Sequence, residues 1–501
     1  MKLSTTGRKK SGTSSSSSSS GETTQQEPQP AMALVSHQPA QMFQQPSSAA
    51  KALQDSKSAG SASKVPNGCT SAMMAAAMNA PNGAVTPQAS NAILAAAQPF
   101  YHAPVSPQEF QPDRPIGYGA FGVVWSVTDP RSGKRVALKK MPNVFQNLAS
   151  CKRVFREIRM LCSFKHDNVL SCLDILQPSN AHFFQELYVL TELMQSDLHK
   201  IIVSPQPLTS DHVKVFVYQI LRGVKYLHSC NILHRDIKPG NLLVNSNCIL
   251  KICDFGLARV WDPNDPAAMT HEVVTQYYRA PELLMGARRY SVSVDLWSIG
   301  CIFAELLGRR ILFQAQGPLE QLNLIIDLLG TPSVAEMKHA CEGAKNHVLR
   351  SPYRAPNTVK LYSLSPQASH EAVHLLSQML IFDPDKRISV EEALAHPYLD
   401  EGRMRFHSCM CTCCYTSGGQ RVFSTEFDPQ HEEPFETKWE KELSRLSMFD
   451  LRDRLYKFVT ERPPLYGVPL CINPHSAAYK NFASSSVAQP SELPPSPQAW
   501  D

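Results

Sequence analysis

"HRDIKPGN", residues 234–241, carries an aspartate, a lysine and an asparagine at a spacing that decides how the rest of the chain is interpreted. Asp236 can accept the proton of an attacking hydroxyl, and Lys238 can neutralise a phosphoryl group during its transfer. Asn241 offers an amide oxygen to magnesium, and Asp254, in the tripeptide "DFG", adds a carboxylate. Together these stretches predict phosphoryl transfer from a magnesium-bound nucleotide.

A glycine-rich stretch, "GYGAFGVV" at residues 117–124, places Gly117, Gly119 and Gly122 at G-x-G-x-x-G spacing. On its own this spacing fits a dinucleotide site or a plain turn equally well. A dinucleotide loop opens a helix, whereas here apolar residues continue as a strand, so the glycines are predicted to form a hairpin. The backbone N–H groups of such a hairpin can approach phosphates because no side chains intervene. The pattern argues against a dinucleotide oxidoreductase.

Lys139, in "VALK" on the next predicted strand, supplies a compact cation, and Glu157 lies on the predicted helix "VFREIRML". An ion pair between them would hold the lysine against the phosphates of the nucleotide. Taken singly, each also fits an ordinary surface lysine or helical glutamate. The glycine loop at the right distance before them favours the pair.

With "APE" at residues 280–282, these motifs form an ordered set that resembles the eukaryotic protein kinases over about residues 113–399. The resemblance implies an α+β, bilobal fold with a small β-rich N-lobe and a larger α-helical C-lobe, and it implies ATP and Mg²⁺ as cofactors. Lys238 after the catalytic aspartate resembles the serine/threonine class. A pseudokinase scaffold that binds partners through its tails is the competing hypothesis, and the intact catalytic residues favour the enzyme.

By this resemblance the catalytic residues are Asp236, Lys238 and Lys139, and the metal ligands are Asn241 and Asp254. The implied nucleotide-binding residues are Ile116, Gly117, Gly119, Gly122, Val124, Ala137, Lys139, Glu157, Thr191, Met194, Asn241 and Asp254.

Several residues outside the catalytic motifs also match the kinase pattern. Thr191 resembles the residue that gates the pocket behind the adenine, and residues 192–194 resemble the hinge. Asp295, in the helix "VDLWSIGCIFAELL", resembles the aspartate that braces the catalytic loop. Arg387 resembles the arginine that pairs with Glu282 in the large lobe.

"YYRAPE", with Arg279, resembles the proline-directed branch that includes mitogen-activated and cyclin-dependent kinases. In mitogen-activated kinases a Thr-x-Tyr triplet is phosphorylated, and here the matching triplet is Thr270-His271-Glu272. Glutamate supplies about one negative charge, against roughly −1.5 to −2 for a phosphate. Gln276 stands where relatives have an arginine that binds the phosphotyrosine. Arg279 could still pair with Glu272.

Three arginines match those that gather around the phosphothreonine of the family: Arg156, Arg235 and Arg259. Phosphorylation of Thr270 would then tie the helix of the small lobe to the catalytic loop. The alternative is that these arginines form only surface ion pairs. The hypothesis is activation at the single site Thr270, with Glu272 as a fixed half-switch.

The triplet, the Ala/Gln-rich N-terminal segment and a cysteine-bearing loop together resemble the Nemo-like kinases, which are atypical mitogen-activated kinases. The family triplet is usually Thr-Gln-Glu, and this chain has His271 in the middle. The resemblance implies Wnt-type signalling and substrates among transcription factors of the T-cell-factor/lymphoid-enhancer-factor class. It also implies an upstream activating kinase, a homodimer, and a location in the nucleus and cytoplasm.

The composition sets the limits of the ordered part of the 501-residue chain. Residues 1–105, rich in Ser, Gln, Pro and Ala, and the tail 471–501 are predicted to be disordered, because they cannot bury enough apolar surface. A net charge of +5 is too small to argue for nucleic-acid or membrane binding. No apolar run of about 18 residues is present, and the N-terminus does not resemble a signal peptide. "GRKK" at residues 7–10 fits a nuclear import patch or a solvated charge run.

Residues 400–470 form a predicted C-terminal extension. Its acidic stretch "TEFDPQHEEPFE" contains Asp428, Glu432 and Glu433, which resemble a docking segment for basic partner motifs or form a solvated loop. "KWEKELSRLSMFDLRDRLYKF" is predicted to form one amphipathic helix, with Trp439, Leu443 and Leu446 on its apolar face.

The thiols of the chain suggest a reducing compartment, since its 14 cysteines do not follow a disulfide framework. Cys409, Cys411, Cys413 and Cys414 form the cluster "CMCTCC". Four thiols could bind zinc, but the paired C-x-x-C spacing of structural sites is absent and no second cluster completes a tetrahedron. A reduced loop and a redox- or lipid-modified loop are the alternatives. Cys253, before "DFG", is predicted to pack at the floor of the nucleotide pocket.

Overall fold

The computed structural model describes residues 112–119, 122–129, 132–178, 181, 184–262, 275–416, 418–422, 434–462 and 477–484. Within these ranges the chain has the predicted α+β, bilobal architecture. Three sets of predictions lie outside the described residues: the disordered segment 1–105, the triplet with Thr270, and the acidic positions Asp428, Glu432 and Glu433.

The small lobe is an antiparallel sheet of five strands with one long helix packed against it. The strands are β1 (Arg114–Gly119), β2 (Gly122–Thr128), β3 (Arg135–Met141), β4 (Cys172–Ile175) and β5 (Leu187–Glu192), in the order β1-β2-β3-β5-β4. Helix α1 (Leu148–Ser163) begins at Asn147, whose side chain accepts a hydrogen bond from the backbone of Ser150 at 2.8 Å. Val154, Ile158 and Leu161, which are spaced by three and four residues along one face of this helix, are all buried.

The large lobe is built mainly from helices. They are α2 (Leu198–Val203), α3 (Ser210–Ser229), α4 (Pro281–Leu284), α5 (Ser293–Gly308), α6 (Pro318–Leu329), α7 (Glu342–Arg350), α8 (His370–Met379) and α9 (Val390–Leu394). Short strands are β6 (Ser196–Asp197), β7 (Ile232–Leu233), β8 (Leu242–Val244), β9 (Leu250–Ile252) and β10 (Arg259–Val260). Every residue of α5 before Gly308 is buried, which confirms the predicted central helix.

An ion pair links α4 to the loop before α9. Arg387 donates from Nη1 to Oε1 of Glu282 at 2.9 Å and from Nη2 to Oε2 at 3.0 Å. The guanidinium also lies over the ring of Trp297, 5.1 Å from the ring centre. This bidentate, buried geometry confirms the predicted pair.

The extension after residue 399 contains α10 (Asp400–Cys409), α11 (Thr437–Arg445), α12 (Met448–Thr460) and α13 (Ala477–Ser484). The prediction of one helix over "KWEKELSRLSMFDLRDRLYKF" is wrong, because Leu446 is extended and Ser447 starts a second helix. The Ser447 side chain accepts a hydrogen bond from the backbone of Asp450 at 3.2 Å. Serine at this position competes with the helix by capping the next one.

Within the segment 471–501, for which the sequence predicts disorder, Ala477–Ser484 forms α13, and this helix packs on the small lobe. Phe482 is buried, with its ring edge-on to Trp125 at 5.6 Å between ring centres. Lys140 donates from Nζ to the Phe482 carbonyl at 3.1 Å. The composition of the tail does not predict this contact, because it depends on one aromatic residue, Phe482, that packs on a sheet far away in the sequence. In the described part of the chain, no helix combines the length and apolar character that a membrane span needs.

Candidate active site

One face of the small-lobe sheet gathers most of the predicted nucleotide-binding residues. Strand pairing sets Gly117 opposite Val124, Val124 opposite Lys139, and Ala137 opposite Thr191. Residues directly opposite on neighbouring strands share a face, and so do residues two apart on one strand. Gly117, Val124, Ala137, Lys139 and Thr191 therefore line the same surface.

The remaining positions of this surface lie at its edges. Ile116 lies in β1, and Met194 is buried two residues beyond β5. Gly119 pairs with Gly122, which confirms the hairpin predicted for the glycine stretch. A Cβ atom at Gly122 would lie 2.4 Å from the Lys140 carbonyl oxygen. The close approach of β2 to β3 thus requires glycine at this position, independently of any nucleotide that the hairpin would cover.

Lys139 and Glu157 form the predicted ion pair, with Nζ 2.5 Å from Oε1. Burial acts to lower the pKa of Lys139, but the negative charges of Glu157 and Asp254 outweigh it, and the net pKa is raised. The lysine therefore stays protonated between the small-lobe helix and the "DFG" aspartate. Its charge is available for phosphate oxygens that enter the cleft.

The catalytic loop is fastened to α5 through Asp295, as predicted. The Asp295 carboxylate accepts the backbone N–H groups of His234 at 3.0 Å and Arg235 at 2.9 Å, and it bonds to Nε2 of His228 at 3.0 Å. Burial acts to raise the pKa of Asp295, but the hydrogen bond and charge of His228 outweigh it and lower the pKa. Arg235 and Asp254 both have φ of +64°. Such a conformation costs on the order of 1–3 kcal/mol for a side-chain-bearing residue, which the surrounding bonds offset.

Both carboxylate oxygens of Asp236 are engaged. Oδ1 accepts the backbone N–H of Thr275 at 3.1 Å and its hydroxyl at 3.2 Å. Oδ2 accepts Nδ2 of Asn241 at 3.0 Å and lies 2.9 Å from Nζ of Lys238. Lys238 also donates to the Thr275 hydroxyl at 2.9 Å. The aspartate and the lysine are thus held in one hydrogen-bonded network.

The two predicted metal ligands provide a donor set that fits magnesium. Asn241 uses Nδ2 for its bonds to the carbonyl and the carboxylate of Asp236, so Oδ1 is the atom it can offer a cation. The pKa values of Lys139 and Lys238 are raised against the effect of burial, mainly by Glu157 and Asp236 respectively, and the charge of Asp254 adds to the rise of both. A carboxylate and an amide oxygen are hard donors of the kind Mg²⁺ prefers.

Around the "DFG" tripeptide the packing is aromatic. Phe255 is fully buried, with its ring centre 4.9 Å from that of Phe164 and 5.4 Å from that of His234. Burial and the charge of Asp254 raise the pKa of Cys253. The thiol therefore stays protonated, and Cys253 is partly buried against the core, which supports the predicted packing role over nucleophilic chemistry.

The arginines predicted to surround a phosphothreonine lie together, and a carboxylate of the extension contacts two of them. Arg156 donates to Glu440 from Nη2 at 2.6 Å and from Nε at 3.2 Å, and Nε of Arg259 is 3.4 Å from the same carboxylate. Burial, followed by the charges of Arg235 and Arg156, lowers the pKa of Arg259. Within the described residues, Nη1 of Arg156 is buried without a hydrogen-bond partner. One carboxylate is thus shared by two guanidinium groups.

Gln276 and Arg279, just before "APE", are both buried. Gln276 donates from Nε2 to the Ala315 carbonyl at 2.9 Å, so its side chain is turned toward the segment before α6. Burial lowers the pKa of Arg279 to about 10, against the opposing charge of Asp236. The contact predicted between Arg279 and Glu272 lies outside the described residues.

Sequence reasoning missed two residues of this site. Thr275 could have been found as the hydroxyl nearest before "YYRAPE", since a donor there can reach the catalytic loop. Glu440 is one of several acidic residues on a charged helix, and nothing in its spacing distinguishes it.

Comparisons with known proteins identify the family of the chain. The protein kinase domain family matches residues 110–399. The chain is 78% identical over 415 residues to "Serine/threonine kinase NLK" of Caenorhabditis elegans, covering 82% of this chain and 65% of the worm protein. It is 65% identical over 385 residues to "Serine/threonine-protein kinase NLK2" of Xenopus tropicalis, covering 77% of this chain and 84% of that protein. It is 49% identical over 292 residues to "Mitogen-activated protein kinase 7" of Arabidopsis thaliana, covering 58% of this chain and 78% of that protein.

The fold, the site and these similarities define a protein kinase of the serine/threonine class. The chain belongs to the Nemo-like kinases, a group that is similar to mitogen-activated kinases, and the predicted family resemblance is confirmed.

Proposed function

We propose that this chain transfers the γ-phosphate of ATP to serine or threonine residues that precede proline. The observation that supports it most is the network in which Asp236, Lys238, Asn241 and Thr275 hold one another in the cleft. In this proposal Asp236 orients the attacking hydroxyl and accepts its proton. Lys238 offsets the charge of the phosphoryl group during transfer.

The nucleotide would lie between the sheet face and the catalytic loop. Lys139, held by Glu157, would contact the phosphates, and Thr191 and Met194 would border the adenine. Asn241 and Asp254 would hold the metal. Bound Mg²⁺ supplies charge neutralisation along the phosphate chain. The strained backbone at Asp254 and the buried Phe255 keep this carboxylate in place before any ligand enters.

The preference for proline is supported by Arg279. This arginine is buried next to the catalytic aspartate and at the start of "RAPE". A pocket that offers no acceptor for a backbone N–H favours proline, which has none to satisfy.

Activation at Thr270 is supported by the arginine cluster. A phosphate has more acceptor oxygens and more charge than a carboxylate, and Nη1 of Arg156 is available to it. Phosphorylated Thr270 would therefore either join Glu440 at this cluster or take its place. Both outcomes fix α1, which carries Arg156 next to Glu157.

The remaining proposals follow from the family. The substrates would be transcription factors of the T-cell-factor/lymphoid-enhancer-factor class in Wnt-type signalling, and an upstream kinase would phosphorylate Thr270. The chain would form a homodimer and act in the nucleus and cytoplasm. The kinase domain would extend over 113–399, followed by a docking extension over 400–470.

The test is phosphate transfer to a pair of peptides that differ only in Ser-Pro against Ser-Ala, with wild type and Thr270→Ala. We expect wild type to phosphorylate the Ser-Pro peptide and to leave most of the Ser-Ala peptide unmodified. Thr270→Ala should reduce the rate on the same peptide. Equal rates on both peptides would contradict the proline preference, and full activity of Thr270→Ala would contradict the activation site. If wild type phosphorylated at Thr270 transferred no phosphate to either peptide, the pseudokinase scaffold would be the better hypothesis.

A further inference from the structure

Four metal-binding atoms converge where α10 ends. His407 lies in the last turn of α10, and Cys411, Cys413 and Cys414 follow in the next few residues. One donor atom from each of the four lies within 4.8 Å of all the others. Nδ1 of His407 is 3.5 Å from Sγ of Cys413 and 3.4 Å from Sγ of Cys414, and the two sulfurs are 4.0 Å apart.

The three distances that join His407, Cys413 and Cys414 are close to those of a tetrahedral zinc site. With Zn–S near 2.3 Å and Zn–N near 2.0–2.1 Å, neighbouring donors of a tetrahedron lie about 3.5–3.8 Å apart. The imidazole closes the tetrahedron that the cysteine spacing alone did not. Cys409 takes no part, because its side chain is exposed and its thiol bonds to the Arg405 carbonyl at 3.2 Å.

The surroundings of the cluster fit metal ligands. Nε2 of His407 bonds to the Tyr218 hydroxyl at 2.7 Å, which directs Nδ1 toward the cysteines. Arg222 approaches Sγ of Cys413 at 3.4 Å. Arg421 approaches Sγ of Cys411 at 3.3 Å. Three thiolates around Zn²⁺ leave one negative charge, and these guanidinium groups balance it.

We propose that His407, Cys411, Cys413 and Cys414 bind one Zn²⁺ ion. The three thiols would lose their protons on binding, and the histidine would bind as the neutral imidazole through Nδ1. Four protein ligands leave no open position, so the ion is structural and does not take part in phosphate transfer. Sulfur-rich donors select zinc over magnesium and calcium, which keeps this site separate from the nucleotide metal.

The site would fasten the start of the extension to the large lobe. Arg222, on α3, also donates to Asp167 at 3.2 Å and to Asn168 at 2.9 Å. Thr412, inside the cysteine cluster, donates its backbone N–H to Asp167 at 3.2 Å. Zinc would thus hold this loop against α3 near Arg222. In the sequence, the acidic stretch predicted to be a docking segment follows this loop.

The test begins with the metal content of the full chain, purified under reducing conditions without chelators. Mass spectrometry of the metals should find about one zinc per chain. Cys411→Ser and Cys414→Ser should lose most of it, whereas Cys409→Ser, the matched control from the same loop, should keep it. Wild type that holds no zinc after exposure to Zn²⁺, or Cys409→Ser that loses as much as Cys414→Ser, would overturn the proposal.

A second measurement does not depend on how well the serine variants fold. Co²⁺ added to metal-stripped, reduced wild type should give the visible absorption of tetrahedral cobalt together with thiolate-to-cobalt charge transfer, and Zn²⁺ should remove both signals. Tyr218→Phe, which removes only the bond to the far side of His407, should weaken Co²⁺ affinity about 10–100-fold. Absence of both absorption bands in wild type whose thiols titrate as free would contradict a metal site. A disulfide found within the cluster in the cell would assign it to redox chemistry instead.

Discussion

The catalytic loop and the C-terminal extension are attached to the core in different ways. The loop is held within the large lobe, by Asp295 from α5 and by Thr275 from the segment before α4. The extension instead touches both lobes: α10 packs on α3 in the large lobe, and α11 and α12 contact α1 in the small lobe. The loop is therefore positioned by its own lobe, whereas the extension can control how the small-lobe helix is placed.

Helix α1 is where the two regions meet. Glu157 faces Lys139 in the cleft, and the preceding Arg156 faces Glu440 of the extension. Two adjacent residues thus connect the nucleotide site with a contact more than 280 residues away in the chain. A change in the extension should alter the Lys139–Glu157 pair and leave Asp236 in place. The following expectations test this difference.

The largest effect should come from Arg387→Ala, which leaves the buried carboxylate of Glu282 unpaired. We expect a loss of about 3–5 kcal/mol in the free energy of unfolding, measured by denaturant titration. Arg454→Ala removes an exposed pair with Glu442 on the extension and serves as the control. It should cost less than about 1 kcal/mol. If the two variants lost the same free energy of unfolding, the buried Arg387–Glu282 pair would not stabilise the fold more than the exposed Arg454–Glu442 pair does.

Lys139→Met removes the cation that Glu157 and Asp254 hold in the cleft. Loss of one preorganised charge of this kind lowers the turnover rate about 10²–10³-fold, and steady-state kinetics with a Ser-Pro peptide would measure it. Lys134→Met, in the exposed turn before β3, should retain wild-type kinetics. A fall of less than tenfold for Lys139→Met would contradict the role given to the pair.

Thr275→Val keeps the shape of the side chain but removes the hydroxyl that joins Asp236 and Lys238. Misplacement of Asp236 and Lys238 should lower kcat about 10–100-fold. The KM for ATP should change little, because the substitution leaves the proposed nucleotide-binding residues of the sheet unaltered. Thr275→Ser retains the hydroxyl and should restore most of the rate. Failure of serine to rescue would indicate that Thr275 acts only by packing.

The smallest effect should come from Glu440→Gln, which removes the charge opposite Arg156 and Arg259. We expect a loss of about 1–2 kcal/mol in stability and a higher KM for ATP before Thr270 is phosphorylated. Phosphorylation of Thr270 should recover part of both, since the phosphate can bind the same arginines. Glu442→Gln, exposed on the same helix, is the matched control. Equal effects of the two variants would rule out a specific role for Glu440.

Contacts between residues that are close together in the chain could be predicted from the sequence. The hairpin glycines, Asp236 with Asn241, and the apolar face of α1 all follow from local spacing and strand or helix period. Long-range pairs such as Glu282 with Arg387 were found only because a family resemblance supplied them.

The contacts of the extension had neither kind of signal. Glu440 contacts Arg156, and Phe482 contacts Trp125, because of the path that the chain takes between them. A serine able to cap also broke the helix that the apolar pattern predicted as continuous. Tertiary path and local capping decided these features, and spacing alone does not encode them.

The most direct test of the account is a paired measurement on wild type and Asp236→Asn, each with Mg²⁺ and γ-labelled ATP. Nucleotide binding and label on the serine of a Ser-Pro peptide are followed in the same preparation. We expect equal binding of ATP, and a rate of phosphoserine formation about 10²–10⁴-fold lower in the variant. Wild type that binds ATP without forming phosphoserine, or a variant as fast as wild type, would contradict the assignment of Asp236 as the base of a protein kinase.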